Sequence, residues 1–268
     1  NRAPDRSAGF PRKLSESGLF ASVKDHRLQP QVIPYDVNAP LWSDGVIKSR
    51  FLALPVGVTN AVKMGVRRGW DFPDGTVAVK SFALETEAGN TASRKWIETR
   101  FLTRQNGEWI GYSYEWNEEQ DDATLVSKHG TNRVFEIVTA DGTKRMQSWR
   151  YPSRTECMVC HTRASKYVLG LSTPQMDRAH DYGAGFVTNQ MTLLAELGLA
   201  TEVGKKSDPL IDPHDQRADL DRRARSYLQA NCAICHVSAG GGDSQFSLEL
   251  QVALADTKLI NADPVHGN

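Results

Sequence analysis

Lys95-Trp96-Ile97-Glu98-Thr99-Arg100-Phe101-Leu102-Thr103 leads, through a turn containing Asn106-Gly107, into Trp109-Ile110-Gly111-Tyr112-Ser113-Tyr114-Glu115-Trp116. In the second limb Ile110, Tyr112, Tyr114 and Trp116 alternate with Trp109, Gly111, Ser113 and Glu115. A period of two is what a half-buried strand requires. Asn-Gly suits the corner of a hairpin because both residues tolerate positive φ. Toward the N-terminus, residues 76–84 read as another strand, introduced by the turn Phe72-Pro73-Asp74-Gly75. Toward the C-terminus, residues 133–139, the turn Asp141-Gly142 and residues 144–150 read as a second hairpin. Five or more strands joined this way predict an antiparallel β-sandwich or barrel-like domain over residues 1–150.

Composition narrows the function classes. The chain has 268 residues, 40% hydrophobic and 24% charged, so it can bury a core and wholesale disorder is excluded. Thirty-two basic side chains balance thirty-two acidic ones, which argues against a nucleic-acid binder held by counterion release. The apolar runs are short and contain nothing near the roughly 18 residues of a membrane span. A start at Asn1 rather than Met is expected of a chain that was processed or trimmed, as removal of a signal peptide would do. All six tryptophans (42, 70, 96, 109, 116 and 149) fall in the β-rich part, where core positions are the expected role ahead of a ligand patch.

The four cysteines form two strings, Cys157-Met158-Val159-Cys160-His161 and Cys232-Ala233-Ile234-Cys235-His236. Both fit C-x-x-C-H, the c-type haem attachment pattern, and no cysteine is left over. Two thiols three residues apart on a helical turn reach the two vinyl groups of one porphyrin. The adjacent histidine then supplies the proximal imidazole to iron. A four-cysteine zinc site places its halves about 15–20 residues apart, whereas 71 residues separate Cys160 from Cys232. Redox C-x-x-C pairs would want a thioredoxin-like βαβ setting, and simple disulfides would leave the paired histidines unexplained. Two haem c groups are therefore the cofactors expected, on Cys157, Cys160, His161 and Cys232, Cys235, His236.

Helical signals surround both strings. Ser153-x-x-Glu156, after Tyr151-Pro152, is a capping box that starts a short helix at the first motif. Residues 215–231 place Leu220, Ala224, Tyr227 and Leu228 on one face and run into the second motif, as the first helix of a cytochrome c domain does. Residues 188–199 read as a capped helix, and 205–213 as a linker. The expected fold is thus α+β and multidomain: a β-rich domain without haem (1–150), then mainly α-helical cytochrome c-like segments carrying the first haem (151–204) and the second (205–268), the latter incomplete at its C-terminus.

A low-spin carrier also needs a distal Met or His at each iron. For the first haem the candidates are Met176 or His180. Met191 reads as core because leucines share its helix face, and His129 lies upstream. For the second, no Met follows His236, leaving His266, His214 or another chain. Other clusters read as ordinary surface or core. Glu118-Glu119-Gln120-Asp121-Asp122 is a solvated acidic loop and His26 an unpartnered histidine. Arg222, Arg223 and Arg225 are helix charges or partners of haem propionates.

Several longer strings carry a family resemblance. They include Leu14-Ser15-Glu16-Ser17-Gly18-Leu19-Phe20, Val32-Ile33-Pro34-Tyr35-Asp36-Val37-Asn38-Ala39-Pro40-Leu41-Trp42-Ser43-Asp44-Gly45 and Ile97-Glu98-Thr99-Arg100. Around the motifs stand Tyr151-Pro152-Ser153-Arg154-Thr155-Glu156-Cys157 and Arg225-Ser226-Tyr227-Leu228-Gln229-Ala230-Asn231-Cys232. On these strings the chain resembles an uncharacterised family of secreted bacterial c-type (dihaem) cytochrome proteins. The resemblance implies an N-terminal β-rich domain, a C-terminal cytochrome c-like domain, two haem sites and an exported location. Members continue beyond the position of Asn268 into a segment with a Met ligand.

The function expected is electron transfer, with the haems as a two-centre relay and the β domain docking to a redox partner protein or a larger cytochrome assembly. One alternative is a peroxidase-like dihaem oxidoreductase with one open haem, and another is a structural subunit of such an assembly. Thioether attachment takes place outside the cytoplasm, so a periplasmic or extracellular location follows from the motifs.

Overall fold

The computed structural model of the protein describes residues 9–66, 68–201, 208–238, 240–241 and 246–261. In chain order its strands are β1 (Phe20–Ser22), β2 (Arg27–Leu28), β3 (Val32–Tyr35), β4 (Ile47–Ala53), β5 (Val77–Glu85), β6 (Arg94–Gln105), β7 (Glu108–Trp116), β8 (Ala123–Leu125), β9 (Thr131–Val138), β10 (Lys144–Tyr151), β11 (Ala179–Asp181) and β12 (Val187–Asn189). The helices are α1 (Arg154–Cys160), α2 (Thr173–Met176), α3 (Gln190–Glu196) and α4 (Leu220–Asn231). Asn106 and Gly107 take φ of 51° and 79°, the left-handed pair that a two-residue hairpin corner demands. That corner sets the β6–β7 register from Gln105 opposite Glu108 to Glu98 opposite Glu115.

Strands β3 to β8 form one six-stranded antiparallel meander in sequence order, while β1–β2, β9–β10 and β11–β12 are separate hairpins. Alternation sends side chains to opposite faces. On one face Phe51, Ala53, Val79, Phe101, Tyr112 and Tyr114 bury against Leu14, Phe20 and Val23 of the N-terminal segment. On the other, Leu52, Leu102 and Trp109 pack with Trp70, Phe72, Val168, Leu171, Met176 and Leu194. Past a bulge at Phe82/Ala83, hairpin β9–β10 sets Ile137, Trp149 and Tyr151 against Phe82, Leu84 and Ile97. Most tryptophans are core residues, but Trp42 is 60% exposed.

The expected fold class is overturned. The strands fall close to the segments read from the sequence. They form an open sheet, however, whose end strands β3 and β8 do not pair with each other, so it is no barrel. No helical cytochrome c-like segment is evident among the described residues, whose four helices run only 7, 4, 7 and 12 residues. The physical reason lies in what the chain after Tyr151 packs against. Val168 and Leu171 are almost wholly buried on the sheet, worth about 1.5–3 kcal/mol each. That exceeds the few tenths of a kcal/mol per residue by which helix propensities differ. Turns at Gly170, Gly183, Gly185 and Gly198, all with positive φ, interrupt whatever helix the periodicity suggests. The helix read over 188–199 shortens to α3, and the one read over 215–231 starts only at Leu220.

Candidate functional site

The first motif sits on α1, which hairpin β9–β10 delivers to the sheet. Ser153 Oγ accepts from the Glu156 amide at 3.1 Å, and the Glu156 carboxylate accepts from the Ser153 amide at 2.6 Å, closing the capping box. Arg150 donates to the same carboxylate at 2.8 Å and, with the Ser153 bonds, pushes Glu156 down to about 2. The helix packs on β7 at Gly111. A Cβ there would lie 2.6 Å from both Cβ and Sγ of Cys157, so the strand needs a glycine at that point.

Cys157, Cys160 and His161 line one cleft with Tyr35, Lys80, Arg100 and Gly111. His161 Nδ1 bonds the Tyr167 carbonyl oxygen. Burial first and the Lys80 charge second push its pKa to about 4, so the ring is neutral near pH 7. With Nδ1–H donated to a carbonyl, Nε2 is the free lone pair, the arrangement that metal-ligating histidines favour. Burial also raises both thiols of this motif, the reverse of the shift that activates a thiol–disulfide catalyst.

The sheet wall of the cleft is cationic through Lys80 and Arg100, and Arg50 beside them lines the separate basin. Arg50, Lys80 and Arg100 stand opposite one another on β4, β5 and β6. Arg100 grips the fully buried Glu98 at 2.7 and 2.8 Å, and Trp149 Nε1 donates to the same carboxylate at 2.9 Å. Arg50 stands 3.5 Å from Asp36, and Lys48 donates to the Leu41 carbonyl. Burial, followed by the charges of Arg50, Lys48 and Arg100, holds the Lys80 ammonium well below its ordinary range.

The second motif lies just past α4, whose N-cap Asp219 accepts from the Arg222 amide at 3.0 Å. The Cys232 and His236 amides continue the turn to Leu228 and Cys232 carbonyls at 2.9 Å each. Phe246 stacks on the His236 ring at 4.2 Å and 17°, and the Leu248 amide bonds the His236 carbonyl. Arg225, 7% exposed, donates to the carbonyls of Glu249, Leu250 and Val252. Arg222 and Arg223 reach the Pro209 and Pro213 carbonyls, so all three arginines fasten backbone. The two motifs are neighbours, since Cys235 acts electrostatically on Cys160. A second cavity is lined from both sides, by Ala164, Ser165 and Val168 and by Ala230, Ala233 and Ile234.

The distal candidates are scattered. Met176 is buried in the sheet core, its Sδ 3.8 Å from Gln190 Nε2, and does not line the cleft at His161. Met191 packs against that same core. His180, on β11, stands 3.9 Å from Asp36. His129 lies in the turn before β9, where its carbonyl accepts from Arg150 at 3.1 Å. His214 lines a separate basin with Asp36, Lys48, Arg50 and Arg178. His266 lies outside the described residues. Elsewhere Asp122, from the acidic loop, accepts from Ser15, and His26 stacks on Trp96 at 3.8 Å.

Sequence reasoning did not single out Gly111, Tyr167 or Lys80. A glycine amid bulky strand residues was the available signal for Gly111. The strand parity that puts Lys80 on the face of Ala78 and Phe82 was the signal for the lysine. Comparisons with family models, curated proteins and solved structures find no match. Among the described residues no group of three or more His, Cys, Asp and Glu is placed to hold a metal ion together, and no helix is long and apolar enough to cross a membrane.

Proposed function

We propose that the chain is a c-type dihaem cytochrome of the secreted bacterial kind its sequence resembles, acting in electron transfer. One observation carries this: Cys157, Cys160 and His161 face a single cleft, with His161 Nδ1 committed to the Tyr167 carbonyl. The residues fit a covalent haem there. Cys157 and Cys160 would supply the thioether sulfurs and His161 the proximal nitrogen, and Gly111 leaves room for the Cys157 side chain. When bound, the haem supplies a one-electron iron couple. The protein's own contribution is to hold the imidazole, exclude water with Val168, Leu169 and Leu171, and set the local charge. The second motif, beside the first, would place a second haem on Cys232, Cys235 and His236, close enough for a relay to a redox partner outside the cytoplasm.

Intact mass after acid denaturation tests the haem count: two added haem masses are expected, and none ends the proposal. A second reading, an oxidoreductase with one open haem, is favoured by the absence of Met or a second His from the described lining of the first cleft. Carbon monoxide separates the two. Rapid binding to the reduced protein at one iron selects the open-haem enzyme, and slow binding at both selects the relay.

A further inference from the structure

The sheet side of the cleft carries a feature that two thioethers and an imidazole do not use. Arg100, Lys80 and Arg50 lie in register on β6, β5 and β4, each about 4.8 Å from the next. Gly111, which makes room for Cys157, lies on β7, the neighbouring strand on the other side of β6. The row therefore begins one strand from the first motif and leads away from it. Arg100 is satisfied by Glu98, Arg50 faces Asp36, and Lys48 donates to the Leu41 carbonyl. Lys80, in the middle, has no side-chain hydrogen bond or ion pair among the described residues, although it lines the same cleft as Cys157, Cys160 and His161. An ammonium in a protein wall without an acid is costly, and a carboxylate arriving beside it removes that cost. A haem c bears two carboxylates on the edge remote from its thioether links.

We propose that Lys80, flanked by Arg50 and Arg100, is the carboxylate-binding wall of the first site and pairs with the propionates of the haem held at Cys157 and Cys160. This rests on the haem assignment above. A cation at that edge disfavours the ferric state, so Lys80 raises the potential of the first haem relative to a neutral side chain there.

The experiment compares holoprotein of wild type, Lys80→Met and Lys80→Arg, counting haem by intact mass and following each haem by spectroelectrochemical titration. In Lys80→Met both haems stay attached and one of the two shifts its ferric/ferrous ratio about tenfold toward ferric at fixed potential, a fall of about 59 mV for a one-electron couple. Lys80→Arg restores most of that shift. If Lys80→Met accumulates with one haem and Lys80→Arg with two, the charge is required for loading, which equally supports the pairing. Two haems with unchanged potentials in Lys80→Met overturn the proposal and leave the haem assignment intact. One haem in both variants points to shape rather than charge and overturns it too. Conversion of one haem from six- to five-coordinate in both variants means the amine bound iron, a third way to overturn it. A wild type without covalent haem removes the parent assignment, an outcome visible in the mass before any potential is measured.

Discussion

The strings 157–161 and 232–236 share a spacing and little else. The first is held by a capping box on a seven-residue helix laid against a glycine of β7, and it opens into a cleft with a cationic wall. The second follows a twelve-residue helix, and its histidine is covered by Phe246 and fastened through the Arg225-bound segment. Spacing fixes which atoms of one turn reach the same ligand. The element across from each turn also differs, a strand whose glycine accommodates the Cys157 side chain in one case and a phenylalanine ring stacked on the histidine in the other.

The largest test of this contrast is steric. Gly111→Ala puts a methyl on Cys157, so one haem mass in place of two is expected, with the second motif still loaded. Two haems in Gly111→Ala would mean that α1 moves off β7 freely. Next in size, Arg225→Met removes three donations to backbone carbonyls. A loss of about 2–4 kcal/mol is expected, read as faster hydrogen exchange over residues 246–256 with no change around α1. Equal loosening around both motifs would show that they are one mechanical unit.

A pH test then separates the sheet from the motif-bearing layer. Burial pushes His26 down to about 4, and its Nε2 is buried without a hydrogen-bond partner among the described residues. The unfolded chain takes up a proton there below about pH 6.5, the folded chain only near pH 4. Stability is therefore level above pH 6.5 and falls by up to about 3 kcal/mol as the pH drops from 6.5 toward 4. Urea midpoints across that window measure it, and His26→Phe should reduce the slope without altering haem content. The smallest effect compares the caps. Ser153→Ala and Asp219→Ala each cost about 1 kcal/mol, the first loosening α1 and the second α4, as denaturant midpoints and local exchange will report.

Much of the sheet was legible. Residues 95–103 and 109–116 carry alternation strong enough that β6 and β7 differ from it by only one or two residues at their ends. Ser153 and Glu156 announced α1 because a capping box is a local interaction, satisfied within one turn. The segments beyond were read as longer helices than they form, because the spacing of Met191, Leu194 and Leu197 does not reveal that the helix stops at Glu196. Leu197 is in fact 53% exposed, beyond the end of α3. The arginines of α4 were misread in the same way, since a charged residue on a helix gives no hint that distant carbonyls will surround it.

What the sequence determined by itself is the chemistry within reach of single turns: paired thiols with an adjoining imidazole, hairpin corners and helix caps, each specified by residues at most a few positions apart. Only the tertiary structure decided that Gly111 faces Cys157, that Lys80 joins Arg100 at the first cleft with Arg50 beside it in register, and that the two motifs are neighbours. Those relations depend on strand order and on which face of the sheet each later segment covers, and many distant contacts acting together fix them.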